Sequence, residues 1–153
     1  GLTGPYVLHA GGVSTRKNLE ALALAWPTIS QAHPGLTLAL AGPENPRRNE
    51  LFGGLSAVRL LGRVPDAVVP QLVAGAAVVV VPSTYEGFGL PALEAMAAGV
   101  PVVAADTTCC HTRPLRVSTT VPSKLSTNIR TEAGGPSVRT HRARYRFAWF
   151  KPL

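Results

Sequence analysis

Acidic residues all but vanish from the end of this 153-residue chain: after Thr107 there is Glu132 and no other. Nine cations stand against it there: Arg113, Arg116, Lys124, Arg130, Arg139, Arg142, Arg144, Arg146 and Lys151. Through Asp106 six cations face seven acids, so the net charge of +7 belongs entirely to the tail. The overall basicity therefore says nothing about the partners of the first 106 residues. Long hydrophobic runs are lacking as well. The longest, AAVVVVP, ends at Pro82 and falls well short of the ~20 residues that a bilayer-spanning helix needs. Cysteine is scarce. Cys109 and Cys110 are adjacent, seldom a disulfide geometry, and with His111 they offer no zinc-type spacing, so no metal site is expected. There is no initiating Met and no basic-then-apolar leader, and the chain reads as an excised segment.

What is present is a regular alternation. At 46% hydrophobic and 15% charged, the chain has material for one globular domain with a core of its own. YVLHA (6–10) reads as a buried strand, followed by a loop in which Ser14 or Thr15 is placed to cap a helix, LEALALAW. Pro27 is expected to end or kink that helix. LTLALAG (36–42) is a second strand and a polar loop with Pro43, Pro46, Arg47 and Arg48 comes next. VRLLG from Val58 is a third strand. The stretch VPDAVVPQLVAGA carries a helix signal that starts near Asp66 and is weakened by Pro70. AVVVVP (77–82) is the most buried strand, PALEAMAAG a helix with Pro91 in its first turn and Gly99 at its far end, and PVVAA (101–105) a fifth strand. Strands apolar on both faces and separated by helices imply an α/β, Rossmann-like parallel sheet with helices on both faces.

Within this frame two carboxylates stand out. Glu86 and Glu94 flank GFGLP in a region almost free of other charge. In an open parallel sheet, ligands settle beyond the carboxyl ends of the strands, where both the loop after the fourth strand and the start of the following helix lie. Helix-start N–H groups attract anions such as a diphosphate, and carboxylates accept hydrogen bonds from sugar hydroxyls. From spacing alone, Glu94 is equally a carboxylate favouring the helix dipole and Glu86 equally a solvated loop residue.

The residues go further than the spacing. PSTYEGFGLPALEAMAAGVPVVAAD (82–106) closely resembles the donor-binding signature of retaining glycosyltransferase family 4, which has the GT-B fold: Glu, seven residues, then Glu, in a Gly-Phe-Gly-Leu-Pro setting. Upstream, YVLHAGGVSTRKNLEAL resembles that family's first strand and phosphate loop, and LALAGP and LLGRVPD its second and third strands, so the likeness runs from Pro5 to Asp106. It implies one half of a GT-B fold, the donor-binding part of an enzyme that moves a hexose from a UDP- or GDP-sugar to an acceptor hydroxyl with its anomeric configuration kept. Glu86 would contact the transferred sugar, and Glu94 the ribose hydroxyls. The backbone of Gly87, Phe88, Gly89 and Leu90, with Gly12, would face the diphosphate. Lys17, aided by Arg16, would neutralise the leaving group. Relatives often carry an arginine where Gly12 stands. Arg63 and Val64 fall where relatives place backbone around the base. No metal and no cofactor is implied, and no Asp-x-Asp pair is present. The expected setting is cytoplasmic or peripheral at the inner membrane face. His9 is expected to be a satisfied structural histidine.

At Asp106 the alternation stops. The segment 107–153 is rich in Ser, Thr and Arg, and reads as an irregular tail, out-of-frame or foreign to the unit before it. Reading the coding DNA in the other two frames after the Asp106 codon tests this. The family's acceptor-binding domain is absent from the sequence and the loop that closes the donor site does not follow in register. The chain is therefore expected to be inactive alone. Alternatives are a non-catalytic nucleotide-binding module, an epimerase-like member of the same fold, or nucleic-acid binding by the tail, whose Tyr145, Phe147, Trp149 and Phe150 are interleaved with arginines. A cationic tail of non-specific affinity accounts for the last pattern, so no specific nucleic-acid partner is expected.

Overall fold

The computed structural model describes residues 2–105 and, by backbone alone, residues 145–148. Five strands, β1 (Tyr6–Ala10), β2 (Thr37–Ala41), β3 (Val58–Gly62), β4 (Val78–Val81) and β5 (Val102–Ala105), pair in parallel. A sixth, β6 (Tyr145–Ala148), lies antiparallel on β5. The order across the sheet is β3-β2-β1-β4-β5-β6. The chain first winds outward from β1 to β3, then returns to β4 on the other side of β1. That reversal makes the gap between β1 and β4 the switch point, where open α/β sheets bind their ligands. The remainder of the tail, including Cys109, Cys110, His111 and the expectations placed there, lies outside the described residues.

Side chains alternate across each strand, and both sets are apolar, so the sheet must be covered twice. Tyr6, Leu8, Ala39, Ala41, Val79, Val81 and Val102 pack on one face against α3 (Val69–Ala74) and α4 (Leu90–Ala97), through Val73 and Ala95. Leu38, Leu40 and Val80 pack on the other against α1 (Leu19–Ala32) and α2 (Pro46–Phe52), through Leu19, Leu22, Trp26 and Phe52. The fold is the α/β, Rossmann-like unit expected, with helices on both faces.

Four local expectations need correction. The helix α1 does not end at Pro27 but runs on to Ala32. Trp26 is buried on one side of the proline, with its indole Nε1 donating to the Ser56 carbonyl at 3.0 Å, and Ile29 packs against the same core on the other side. The proline ring is exposed, so tertiary packing outweighs the missing N–H. The polar loop expected at Pro46 is a helix, α2, because Asn45 accepts from the Arg47 N–H at 2.9 Å and Pro46 takes the first-turn position it suits. Likewise Pro70 opens α3, which starts at Val69 rather than near Asp66. Finally, neither Ser14 nor Thr15 caps α1. A 3-10 turn, Thr15–Lys17, intervenes, and Asn18 occupies the cap position with φ 50° and no capping side-chain bond.

The pairing between β1 and β2 extends over five residues, but that between β1 and β4 covers only Val7↔Val78 and Leu8↔Val79. Past this point a side chain takes over, with His9 Nδ1 3.2 Å from the Val80 carbonyl. β3 is the edge strand at the far end of the sheet, and Arg59 and Leu60 on it are exposed.

Candidate functional site

Two loops leave the carboxyl ends of β1 and β4 side by side, and hydrogen bonds sew them together. The Thr84 N–H donates to the Arg16 carbonyl at 2.7 Å, and Asn18 Nδ2 donates to the Pro82 carbonyl at 3.2 Å. The left-handed turn at Asn18 aims that amide across the gap, and Asn is among the few side chains that tolerate it. The first loop is also fixed from behind. The Gly11 N–H donates to the Ala41 carbonyl at 2.9 Å, and Gly42 passes so close that a Cβ there would fall on the Gly11 carbonyl oxygen. With φ 142° as well, only glycine fits at 42.

Lys17 and Glu86 meet where the loops touch. Lys17 Nζ donates to Glu86 Oε1 at 2.5 Å, Ser83 Oγ donates to the same oxygen at 2.6 Å, and Arg16 Nη1 reaches Oε2 at 3.2 Å. Lys17, Ser83 and Glu86 are buried, while the Arg16 side chain is half exposed. Burial raises the Glu86 carboxyl, but the hydrogen bonds from Lys17 and Ser83 and the charges of Lys17 and Arg16 outweigh it and hold the group below the usual carboxylate range. The carboxylate is therefore ionised at neutral pH, in a two-cation setting that any anionic ligand would also find attractive.

The other predicted residues divide. Gly87, Phe88 and Leu90 are exposed and Gly89, at φ 74°, occupies the N-terminal cap position of α4. Tyr85, Phe88, Leu90 and Leu93 form an exposed apolar fringe along this loop and helix. Gly12 has open space where a Cβ would stand. Glu94 is not in the first turn of its helix, as expected, because α4 begins at Leu90; it sits one turn further on, exposed, and among the described residues its side chain makes no hydrogen bond. Arg63 is exposed beyond β3, and Val64 packs against the core under α3, beside an apolar depression lined by Leu2, Tyr6, Leu61, Val68, Gln71 and Leu72. The structure thus brings Arg16, Lys17 and Glu86 together and leaves Glu94, Arg63 and Val64 unconnected to them by hydrogen bonds.

Three residues of the site escaped sequence reasoning. Ser83 is a second donor to Glu86. Arg48, read as loop, is buried and donates through Nη2 to the Gly11 carbonyl at 2.6 Å and through Nη1 to the Pro43 carbonyl at 3.3 Å. His9 is buried at 2% exposure, but among the described residues it is only half satisfied: Nδ1 meets Val80, whereas Nε2 finds no partner there. Burial first, then the Arg48 and Lys17 charges, lower its pKa to about 4. The Arg48 and His9 contacts span 37 and 71 residues of chain and no local signal marks them, whereas Ser83 lies only three residues from Glu86. Among the described residues, no group of His, Cys, Asp or Glu is arranged to hold a metal ion. No helix there is long and apolar enough to cross a membrane.

Comparison with known proteins gives concordant likenesses. Residues 4–123 match the family described as glycosyl transferases group 1, a region that extends beyond the Asp106 at which the sequence resemblance ends. The chain is 38% identical over 110 residues to O-antigen chain mannosyltransferase B of Escherichia coli, a match covering 67% of this chain and 29% of that enzyme. Sucrose-phosphate synthase from Thermosynechococcus elongatus has a similar fold, with TM-score 0.58 and 35% identity over 68% of this chain and 28% of that one. So does HepE from Anabaena, solved in complex with UDP and glucose, with TM-score 0.52 and 31% identity over 68% of this chain and 30% of that one. The chain accordingly spans less than a third of the length of these relatives.

Proposed function

Because the chain belongs to the glycosyl transferases group 1 family and carries its GT-B-type Rossmann-like unit, we propose that it is the donor-binding part of a retaining hexosyltransferase. The ligand of this part is a nucleotide-diphosphate sugar, UDP- or GDP-hexose. The observation that carries the reading is the buried Lys17–Glu86 pair, flanked by Arg16, at the switch point of the sheet. A solved relative with UDP and glucose bound supports the donor class.

In this reading the diphosphate lies over Gly12 and the start of α4, where glycine backbone permits close approach and helix-start N–H groups meet an anion. Lys17 and Arg16 turn to its oxygens, and Glu86 accepts hydrogen bonds from the sugar hydroxyls. Gly87, Phe88, Gly89 and Leu90 line the sugar and diphosphate, Glu94 takes the ribose hydroxyls, and Arg63 and Val64 lie towards the base. In the reaction the bond from the anomeric carbon to the diphosphate oxygen breaks, and the electron pair leaves with the diphosphate. The acceptor oxygen bonds to the same face, and its proton passes to the departing phosphate oxygen. Lys17 and Arg16 stabilise the charge that grows on that leaving group, so the step draws on no cofactor. The acceptor is held by a second lobe that the family's relatives possess, and the chain by itself does not turn over.

Two measurements test this. Calorimetric titration with UDP and GDP gives binding by one of them, and Lys17→Ala weakens it about tenfold or more while the chain stays folded. No binding by wild type, or an unchanged affinity in the variant, refutes the donor-site reading. Incubation with labelled UDP- and GDP-hexoses and sugar acceptors gives no product above buffer, and any such turnover refutes the claim of inactivity.

A further inference from the structure

Behind the phosphate loop the structure places a cation that the family signature does not include. Arg48 is only 2% exposed, yet it forms no ion pair among the described residues. Its partners are the carbonyl oxygens of Gly11 and Pro43, and its Nε has none among the described residues. A guanidinium stays charged in proteins, and a buried charge without a counter-ion is costly. Holding two carbonyls in place needs only a neutral donor. The charge must have another use, and what lies on the far side of the Gly11 carbonyl is the loop that leads to Lys17.

The neighbouring groups agree. A Cβ at Gly11 would stand 3.5 Å from His9 Nε2 and 3.6 Å from Lys17 Nζ, so these atoms surround the same backbone. His9 bonds to a carbonyl through Nδ1, which puts its proton there and leaves Nε2 a lone pair and no charge. Among the described residues the carboxylate of this cluster is Glu86, which Lys17, Ser83 and Arg16 share. Positive charge thus exceeds negative around Gly11 among the described residues, and Lys17, Arg48 and His9 are buried there.

We propose that Arg48 is a positioning residue of the donor site: it clamps the Gly11–Gly12 backbone against α2 and lends the loop a permanent buried positive charge that is balanced when a diphosphate binds. The proposal rests on the donor-binding reading above. Its ligand-specific content is that Arg48 acts on the diphosphate and not on the nucleoside.

The test titrates the full chain and its Arg48→Gln and Arg48→Lys variants with UDP, GDP, inorganic diphosphate, uridine and guanosine. Folding is checked by circular dichroism. Wild type should bind the diphosphates. R48Q should weaken them about tenfold or more, leave any nucleoside affinity unchanged and flatten the salt dependence of diphosphate binding, and R48K should recover most of the loss. Equal losses for diphosphate and nucleoside, or no loss in R48Q, overturn the proposal while leaving the donor site standing. Absence of any wild-type binding overturns both. Should R48Q not fold, R48K decides: diphosphate affinity within about threefold of wild type, with amide exchange at residues 11–13 slowed by the ligand, supports the charge role, and lost diphosphate binding in folded R48K sinks it.

Discussion

His9 shows how a single buried side chain ties the site to the stability of the fold. It faces Arg48, Lys17 and Glu86, and burial with the two cations brings its pKa from an ordinary 6.5 to about 4. The native state therefore holds His9 neutral where the unfolded chain is protonated. Its contribution is complete above pH 6.5 and is lost as pH falls towards 4. About 2 kcal/mol should be gone by pH 5, measured as a fall in the urea midpoint, and His9→Asn should flatten the profile in this window. Glu86 acts at lower pH and in the same direction. Its carboxyl is depressed in the native state, so its contribution holds above the unfolded value of 4.5 and fades only below it. A stability profile flat from pH 7.5 to 5 in wild type would contradict the buried, neutral histidine. None of this was readable beforehand. The sequence shows a histidine ending a strand, but its partner Val80 lies 71 residues away, just as Arg48 lies 37 from Gly11. By contrast, Glu86 and Lys17 were legible because their neighbours carry a specific pattern.

At the scale of elements, the five parallel strands stood out because each is a short apolar run bounded by glycine or proline. Proline misled at the helices. Pro46 and Pro70 looked like breakers and proved to be starters, since a first-turn proline lacks only an N–H that would be unpaired anyway. Pro27 is the real interruption, and α1 runs through it because Trp26 and Ile29 anchor both halves. That continuity leaves unused stability. Pro27→Ala should restore the helix hydrogen bond and raise the unfolding free energy by about 1–2 kcal/mol, the helix-interior penalty of proline less its effect on the unfolded chain. Denaturant titration measures it, and a destabilised variant would mean that the proline itself makes a needed contact. A shift of a single residue matters at Glu94: α4 begins at Leu90, before Pro91, which puts Glu94 at the fifth helical position, just past the first turn.

The molecule as a whole is a two-sided sheet whose functional edge lies at its topological reversal. Two separate apolar layers, one under α1 and α2 and the other under α3 and α4, meet only through the strands, so the loops after β1 and β4 are carried on one rigid support. The chain's coverage of less than a third of its relatives makes this support one component of a larger catalytic assembly in the reading proposed. The opposite border of the sheet has a different consequence. β3 has a partner on one side alone among the described residues, and a bare strand of that kind invites another polypeptide to add itself by backbone pairing. Arg59 stands in the open there as a charged sentry against such stacking. Arg59→Val should leave nucleotide affinity alone but bring on concentration-dependent light scattering within hours at concentrations where wild type stays clear. The basic side chain on that border thus governs the colloidal fate of the chain.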